Sequence, residues 1–378
     1  MVTVAYPFVW HAGGGSVESG LLAAYGLSRR GAHPVVFLPY GADDIKARAS
    51  RLGLEARYYT PYSLGSFEKG KLWSFLGKEW RMLAIAYHAV KALRERRCDV
   101  VHINDDSAMI PWALAARLTG AKVIWHLRSG GKGIRDVARS RLAHKIVPIS
   151  EYVSTRLPGN QKLSRPLVNP VDDERYFGSA GGVAEESFCG SGSRIRLMYV
   201  GRPSWRKRPE WAIAAFCRLR MRFPDLQLSL TILGEFDHEV EQLLAPVALD
   251  AQASVEFPGR VADPERFYRR SDILIHPAFR EPLGRIFLEA AAMGIPAVGM
   301  RGGGAEDVVL HGRTGYLCEE DNFEGFVSMI ETLIANPEKR LRMGVQAREY
   351  AEENFTVDAY ADRLVEIVGE VSDLSKAR

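Results

Sequence analysis

Cysteine is scarce in this sequence, and the four cysteines among 378 residues stand singly at Cys98, Cys189, Cys217 and Cys318. The absence of a CxxC pair or a dense cysteine pattern excludes a cysteine zinc site and a disulfide scaffold, and favours a reducing cytoplasm. No uncharged apolar stretch approaches the roughly 20 residues that a membrane-spanning helix needs. Residues 1–10 lack a leading basic region, so they predict a buried first strand instead of a signal peptide. We therefore expect a cytoplasmic protein that does not span a membrane.

The two halves of the chain carry net charges of opposite sign, although the net charge of the whole chain is only +4. Residues 1–178 carry 26 Lys and Arg against 15 Asp and Glu, whereas the remaining residues carry 24 against 31, which gives +11 and −7. A basic amino-terminal half is typical of a surface for an anionic substrate or an acidic membrane, and equally of a solvated charged face.

Short β-branched apolar runs alternate with helical patterns through both halves of the sequence. This alternation indicates parallel sheets flanked by helices. Residues 179–193 are rich in Gly and Ser and lack a periodic apolar face, so they predict a linker between domains 1–178 and 194–355. We expect residues 356–378 to form a helix that packs back on the amino-terminal domain. The predicted strands are 2–8, 34–38, 100–103, 122–126, 195–200, 227–233, 254–257, 273–276 and 296–300.

Two glutamates, Glu281 and Glu289, stand eight residues apart around Gly284. A strand that ends near His276 and a helix that opens at Gly284 place backbone amides beside a carboxylate, which attracts phosphate. At about 100° per residue, Glu289 lies about 80° round the helix from Glu281, so both can face one ligand. One carboxylate can then bind ribose hydroxyls; alternatively, Glu289 is only a polar residue on a packed helix.

The segment that contains these glutamates and then AAAMGIPAV resembles the E-x7-E motif of the retaining GT-B glycosyltransferases in glycosyltransferase family 4. The later GGGAEDVV and GRTGYL resemble the next two landmarks of that family. Upstream, YVGRPSWRKRPE is similar to the family's GR-x4-K element, which falls on Arg202 and Lys207. The resemblance implies an α/β fold of the GT-B type, in which two Rossmann-like, doubly wound domains face each other across an interdomain cleft.

The same resemblance implies roles in donor binding for residues of the carboxyl-terminal half. Arg202 and Lys207 are expected to hold the donor diphosphate, although Arg208 is an alternative to Lys207. Glu289 is expected to bind the ribose, and Glu281 to lie close to the sugar and the phosphates. The predicted donor-binding residues also include Gly284 and Arg285. The nucleotide base is expected near residues 258–263, and the glycines at 302–304 either approach the transferred sugar or form a surface turn.

In the amino-terminal half, HAGGGSVESG follows the first strand and resembles the family's GG loop, which implies that Gly15 contacts a donor phosphate. It is not a dinucleotide fingerprint, because Glu18 stands where G-x-G-x-x-G requires its third glycine, and this disfavours a nicotinamide enzyme. His126 matches a histidine that the family places near the donor sugar and the reaction centre; a lone histidine at a strand end is otherwise structural. Asn104 and Asp105 are expected on the acceptor side.

The resemblance implies a retaining, metal-independent hexosyltransferase with Glu281, His126, Arg202 and Lys207 as its catalytic residues. The expected donor is a nucleotide-diphosphate sugar, with UDP favoured and GDP and ADP open. The expected acceptor is a hydroxyl of a glycan, a glycolipid precursor or a small-molecule glycoside, and neither a cofactor nor a nucleic acid is expected. The alternatives are a sugar-nucleotide epimerase on the same scaffold and a non-catalytic sugar-nucleotide-binding protein.

Residues 62–97 mix aromatic and basic side chains. This mixture predicts either peripheral contact with the anionic inner face of a membrane or an amphipathic helix whose aromatic residues fill the domain core. The residues concerned are Phe67, Trp73, Phe75 and Trp80 with Lys69, Lys71, Lys78, Arg81 and Lys91.

Overall fold

The computed structural model describes residues 1–9, 14–60, 78–130, 134–178, 194–202, 204–235, 242, 247 and 249–373. The chain divides into two compact units, the first formed by Met1–Pro170 with Val357–Arg378 and the second by Val171–Thr356. The predicted linker 179–193 lies outside the described residues, as do residues 61–77 of the aromatic and basic segment.

The amino-terminal unit is built on six parallel strands in the order β3-β2-β1-β4-β5-β6. The central strands are buried on both faces, as their continuous apolar runs require. The strands are β1 (Thr3–Pro7), β2 (His33–Leu38), β3 (Glu55–Tyr58), β4 (Val100–Ile103), β5 (Lys122–Leu127) and β6 (Lys145–Pro148). The helices of this unit before residue 170 are α1 (Gly15–Arg29), α2 (Asp43–Arg51), α3 (Lys78–Glu95), α4 (Asp106–Thr119), α5 (Ile134–Leu142) and α6 (Glu151–Ser154).

The carboxyl-terminal unit has six parallel strands in the order β9-β8-β7-β10-β11-β12, which repeats the order of the first sheet. Its strands are β7 (Arg194–Val200), β8 (Gln227–Leu233), β9 (Val255–Gly259), β10 (Ile273–His276), β11 (Ala297–Met300) and β12 (Gly315–Cys318). Its helices are α7 (Asp173–Tyr176), α8 (Pro209–Arg222), α9 (Leu249–Gln252), α10 (Glu265–Tyr268), α11 (Arg285–Ala292), α12 (Phe323–Ala335) and α13 (Pro337–Asn354), with a 3-10 turn at Gly304–Asp307.

The last helix, α14 (Val357–Asp373), is part of the amino-terminal unit. Tyr360 and Leu364 are buried in that unit's core. A Cβ added to Gly26 of α1 would lie 2.9 Å from the Cβ of Ala361, so α1 and α14 are in close contact. Because the last helix fills the core, the amino-terminal fold depends on the far end of the chain.

The division between the units falls at residue 170, eight residues before the boundary expected at 178. The backbone N–H of Val171 donates to the carbonyl of Phe355 at 2.8 Å, and Arg175 pairs with Glu265 at 2.8 Å. The ring of Tyr176 packs edge-on against Tyr268. Residues 171–178 therefore belong to the carboxyl-terminal unit.

Helix α3 exposes an apolar row instead of burying it. Trp80 is 62% exposed, and Leu83 and Tyr87, one and two turns further along, are exposed as well. Trp80 therefore does not fill the core, whereas contact of this segment with a membrane stays a prediction. Within the described ranges, no helix combines the length and the apolar composition needed to cross a bilayer.

Candidate functional site

The strand order of the second sheet creates a crevice where β7 and β10 lie side by side and their connections leave in opposite directions. Ligands of open α/β sheets bind at such a point, beyond the carboxyl ends of the strands. On the β7 side of this crevice, residues at the ends of β7, β8 and β9 and just after them line a cavity of about 260 Å³. The lining residues are Val200, Gly201, Arg202, Leu233, Gly234, Glu235, Gly259, Arg260, Val261 and Pro264.

Two predicted elements meet in this cavity. Arg202 was expected to hold a diphosphate, and Gly259, Arg260 and Val261 belong to the segment expected near a base. The side chain of Arg202 is exposed and has no hydrogen bond or ion pair with another residue of the described ranges. An exposed cation beside a cavity is available to an anionic ligand.

Lys207 and Glu281, predicted separately from two motifs, form one ion pair. The Lys207 Nζ lies 2.7 Å from the Glu281 Oε2, and the two side chains are 26% and 15% exposed. The loops that carry them are also joined through the backbone, because the N–H of Phe279 donates to the carbonyl of Arg206 at 2.6 Å. The Tyr199 hydroxyl donates to the carbonyl of Lys207 at 3.1 Å. The pair is therefore held in place from both sides.

Arg208, which the sequence leaves open as an alternative to Lys207, has other partners. Its guanidinium donates to Asp321 and lies 4.6 Å from the ring centroid of Trp211 and 5.1 Å from that of Phe279. Lys207 is paired with Glu281, and its role as the cation for the diphosphate stays a prediction.

Two of the three glycines at 302–304, Gly303 and Gly304, are explained by a close approach of two backbones. A Cβ on Gly303 would lie 2.6 Å from the carbonyl oxygen of Glu281, and one on Gly304 would lie 2.1 Å from that of Pro282. The N–H of Gly304 donates to the Glu281 carbonyl at 2.7 Å. These glycines thus pack against the loop that carries Glu281 and fix its backbone.

Glu289 lies on α11, which follows Gly284 in the left-handed region at φ 82°. Its Oε2 accepts a hydrogen bond from the Tyr268 hydroxyl at 2.9 Å, and its Oε1 lies 3.5 Å from the Arg285 Nε. Burial raises the pKa of Glu289, against the opposing effect of Arg285 and Tyr268. Glu289 is therefore a shielded carboxylate with two protein partners.

The raised pKa of Glu289 predicts a pH-dependent cost to stability. The folded state binds this proton more tightly than the unfolded state, so ionisation destabilises the fold as pH rises from the ordinary pKa through the raised one. Glu289→Gln removes the ionisation, and we expect its Tm to rise relative to that of the wild type across this interval. Thermal unfolding at a series of pH values measures the difference, since 1 kcal/mol shifts Tm by about 2–4 °C in domains of this size. If the Tm of Glu289→Gln and the Tm of the wild type differ by the same amount at every pH, the prediction is wrong.

His276, at the end of β10, was not singled out in the sequence. It is fully buried against Tyr199 and Phe287, and neither ring nitrogen has a partner within the described ranges. Burial and the charge of Lys207 hold the pKa of His276 well below its usual range, so the ring is neutral. A Cβ added to Gly201 would lie 3.6 Å from the His276 Cε1, so this ring packs against the residue that follows β7.

The amino-terminal unit carries the other predicted site residues. Gly15 is the first residue of α1, and residues 10–13 of the preceding loop lie outside the described ranges. His126 is buried in β5, where its ring stacks on His102, and its Nδ1 lies 3.2 Å from the His102 Nε2. Burial and the nearby Arg128 lower the pKa of His126, so its ring is also neutral. Its role near a sugar stays a prediction.

The polar residues that follow β4 have local partners. Asn104 Oδ1 accepts from Arg128 at 2.6 Å, and Asp105 accepts from the N–H of Ser107 at 2.6 Å as the N-cap of α4. The predicted acceptor-side residues are thus held at the carboxyl end of the first sheet, where a ligand of this unit would bind.

The fold and the cavity define a class of protein. Two parallel six-stranded sheets of this order are the architecture of GT-B glycosyltransferases, and the chain superimposes on solved structures of that class. It matches Anabaena Alr3699/HepE in complex with UDP and glucose with a TM-score of 0.76 and 19% identity, over 98% of this chain and 100% of that one. It matches a glycosyltransferase from Rickettsia africae with a TM-score of 0.77 and 18% identity, over 98% of each chain. The predicted GT-B fold is confirmed.

The model of the family "Glycosyl transferases group 1" matches residues 191–350 of the chain. It is 32% identical to D-inositol 3-phosphate glycosyltransferase of Pseudarthrobacter chlorophenolicus over 154 residues, a match that spans 40% of this chain and 37% of that protein. It is 27% identical to spore coat protein SA of Bacillus subtilis over 302 residues, 73% of this chain and 79% of that protein. The resemblance predicted from the motifs is confirmed.

Proposed function

We propose that this protein is a retaining, metal-independent hexosyltransferase that moves a sugar from a nucleotide-diphosphate sugar, with UDP favoured, to a hydroxyl acceptor. A glycan, a glycolipid precursor or a small-molecule glycoside would supply that hydroxyl. The observation that carries the proposal is Arg202, an exposed cation beside a cavity at the strand ends of the second sheet, without a protein partner in the described ranges.

The carboxyl-terminal unit offers groups that could bind the base and the diphosphate of such a donor. The cavity beside Gly234 and Gly259 offers backbone groups to a base, and Arg202 offers charge to a diphosphate. Lys207, paired with Glu281, supplies a second cation. As the bond to the sugar breaks, negative charge develops on the leaving diphosphate, and fixed cations stabilise that charge more than the ground state.

No side chain is assigned as nucleophile or general base. Retention is proposed to follow from attack on the same face that the diphosphate leaves, with the leaving phosphate taking the proton of the acceptor hydroxyl. Glu281, hydrogen bonded to Lys207, then acts by fixing the lysine and contacting the sugar. The Arg and Lys cations supply the charge that a divalent metal supplies in other transferases, so chelators are expected to leave the rate unchanged.

The names of related proteins support two donor classes for a first screen. A relative in Mycolicibacterium smegmatis, 27% identical over 67% of this chain and 72% of that protein, is a GDP-mannose-dependent mannosyltransferase. The Anabaena protein of the same fold was solved with UDP-glucose. UDP-sugars and GDP-mannose are therefore the donors to test first.

Replacing Arg202 or Glu289 with alanine is expected to weaken binding of the donor nucleotide about tenfold or more, because each loss removes a hydrogen bond to or from a charged group. Calorimetric titration with UDP and GDP measures the effect. Arg222→Ala is the control, since Arg222 is an exposed cation of α8 paired with Glu331. Unchanged affinity in both site variants would refute the proposed donor site.

The product distinguishes the proposed transfer from the alternatives. An anomer-retained glycoside, detected by NMR in the presence of an acceptor, would establish retaining transfer. An epimerised sugar nucleotide, or tight binding without turnover across donors and acceptors, would instead favour the epimerase or the non-catalytic binding protein.

A further inference from the structure

The loop between β7 and α8 exposes a tryptophan next to the proposed phosphate site. Trp205 is 74% exposed, which is unusual for a large aromatic side chain in the absence of a partner. Its ring lies 6.0 Å from that of Phe279, the residue two positions before Glu281, and the two planes are inclined by 43°. We call these two rings the Trp205–Phe279 platform.

Two cations lie against one ring of the platform. The guanidinium groups of Arg208 and Arg280 lie 5.1 Å and 4.9 Å from the ring centroid of Phe279. Arg280 is itself held by Glu320, with 3.0 Å between Nε and Oε1. Cations on an aromatic face restrict the ring's motion, so the platform is preorganised for a ligand.

Backbone strain is concentrated around the same loops. Of the four non-glycine residues with positive φ in the described part of the chain, Arg208 and Arg280 flank the platform and Asp321 is the partner of Arg208. Such strained conformations persist where the surroundings enforce them, often at ligand sites. The strained residues thus lie next to the exposed Trp205 and not elsewhere in this unit's described residues.

The platform is separate from the cavity proposed for the nucleotide. Trp205 and Phe279 are absent from the lining of that cavity of about 260 Å³ beside Arg202, which is formed by residues at the ends of β7, β8 and β9 and just after them. The platform instead adjoins Glu281, at the sugar end of the proposed donor site.

We propose that the Trp205–Phe279 platform binds the pyranose ring of the acceptor, which makes a saccharide or glycoside the substrate class of the transfer; this inference rests on the proposed function. A pyranose has a face of C–H groups that carry partial positive charge, and the face of an indole carries the complementary negative charge. Arg206, whose guanidinium donates only to the Arg280 carbonyl at 3.4 Å within the described ranges, is available to the ring's hydroxyls.

Binding is tested with methyl hexopyranosides as the probe. Protein labelled with 15N at its indoles is saturated with UDP and titrated with methyl gluco-, galacto- and mannopyranosides, and Trp205→Phe assigns the Trp205 resonance. We expect the Trp205 indole signal to shift with at least one pyranoside and not with glycerol, which has hydroxyls but no ring. No shift with any pyranoside, or a shift caused by raising the protein concentration alone, would overturn the proposal.

Transfer kinetics provide the second test. Trp205→Ala is expected to raise the acceptor KM about tenfold while the Kd for UDP stays unchanged, and Trp205→Phe is expected to fall in between. Tyr87→Ala is the matched control, because Tyr87 is an aromatic residue of similar exposure, 71%, on α3. An unchanged acceptor KM, or a loss of UDP affinity, in Trp205→Ala would contradict the inference. If the wild type transfers no sugar, the proposed function fails, while the indole titration still decides whether the platform binds a pyranose.

Discussion

Lys207→Ala is expected to lower the kcat of glycosyl transfer about 100-fold or more. The substitution removes a cation proposed to stabilise the leaving diphosphate, so its effect belongs mainly to the chemical step. It also leaves the carboxylate of Glu281, only 15% exposed, without the ammonium that lies 2.7 Å away. Steady-state rates at saturating donor measure the loss, and calorimetry with UDP separates it from a loss of donor affinity.

A cation outside the proposed site provides the control for Lys207. Arg222, at the end of α8, is exposed and pairs with Glu331 and not with Glu281, so Arg222→Ala is expected to change kcat by about twofold or less. The double variant Lys207→Ala, Glu281→Ala should lose less than the product of the two single losses, because the two residues are directly paired. A kcat for Lys207→Ala within about twofold of the wild type would contradict the assigned role.

The architecture could be predicted from the sequence because strands buried on both faces of a parallel sheet consist of continuous apolar runs. The runs at 100–103 and 273–276 coincide with β4 and β10. Strands β3 and β6 were not predicted, since Glu55–Tyr58 and Lys145–Pro148 are short and begin with charged residues. Their places at the edges of the first sheet explain why they need no longer apolar run.

The domain boundary was harder to predict, because the Gly- and Ser-rich segment and the division between the two sets of tertiary contacts fall at different residues. Residues 179–193 are rich in Gly and Ser, and this composition placed the boundary at 178. The division at residue 170 depends instead on pairings such as Arg175 with Glu265, which are 90 positions apart in the chain. Composition cannot report contacts of that kind.

The motifs identified residues that do lie together in the carboxyl-terminal unit, but not how they interact. Lys207 and Glu281 are separated by 74 positions, and their ion pair depends on two loops that meet beyond adjacent strands. The choice between Lys207 and Arg208 likewise required the partner of each cation. Trp205 was visible in the sequence, but only its 74% exposure distinguishes it from a core tryptophan.

Gly304→Ala is the second substitution with a large expected effect, about 100-fold in kcat. Its Cβ would lie 2.1 Å from the backbone oxygen of Pro282, so one of the two loops must move. The same movement breaks the hydrogen bond from the Gly304 N–H to the Glu281 carbonyl, 2.7 Å long in the structure. Glu281 is then displaced from Lys207, and a displacement of about 1 Å can cost a factor of 10² in rate.

Loss of stability alone could lower the activity of Gly304→Ala, so a second glycine serves as the reference. Gly312 has φ +80°, and a Cβ added there would have no atom within 4 Å. Because the left-handed conformation is unfavourable for alanine, Gly312→Ala is expected to cost about 1–2 kcal/mol of stability without moving Glu281. Measuring Tm and kcat for both variants at a temperature where both are folded separates the two effects. If Gly304→Ala keeps the kcat of Gly312→Ala, the glycines do not position Glu281. If its kcat is far lower at a comparable Tm, the close contact between the two loops determines the geometry of the Lys207–Glu281 pair and thereby the rate.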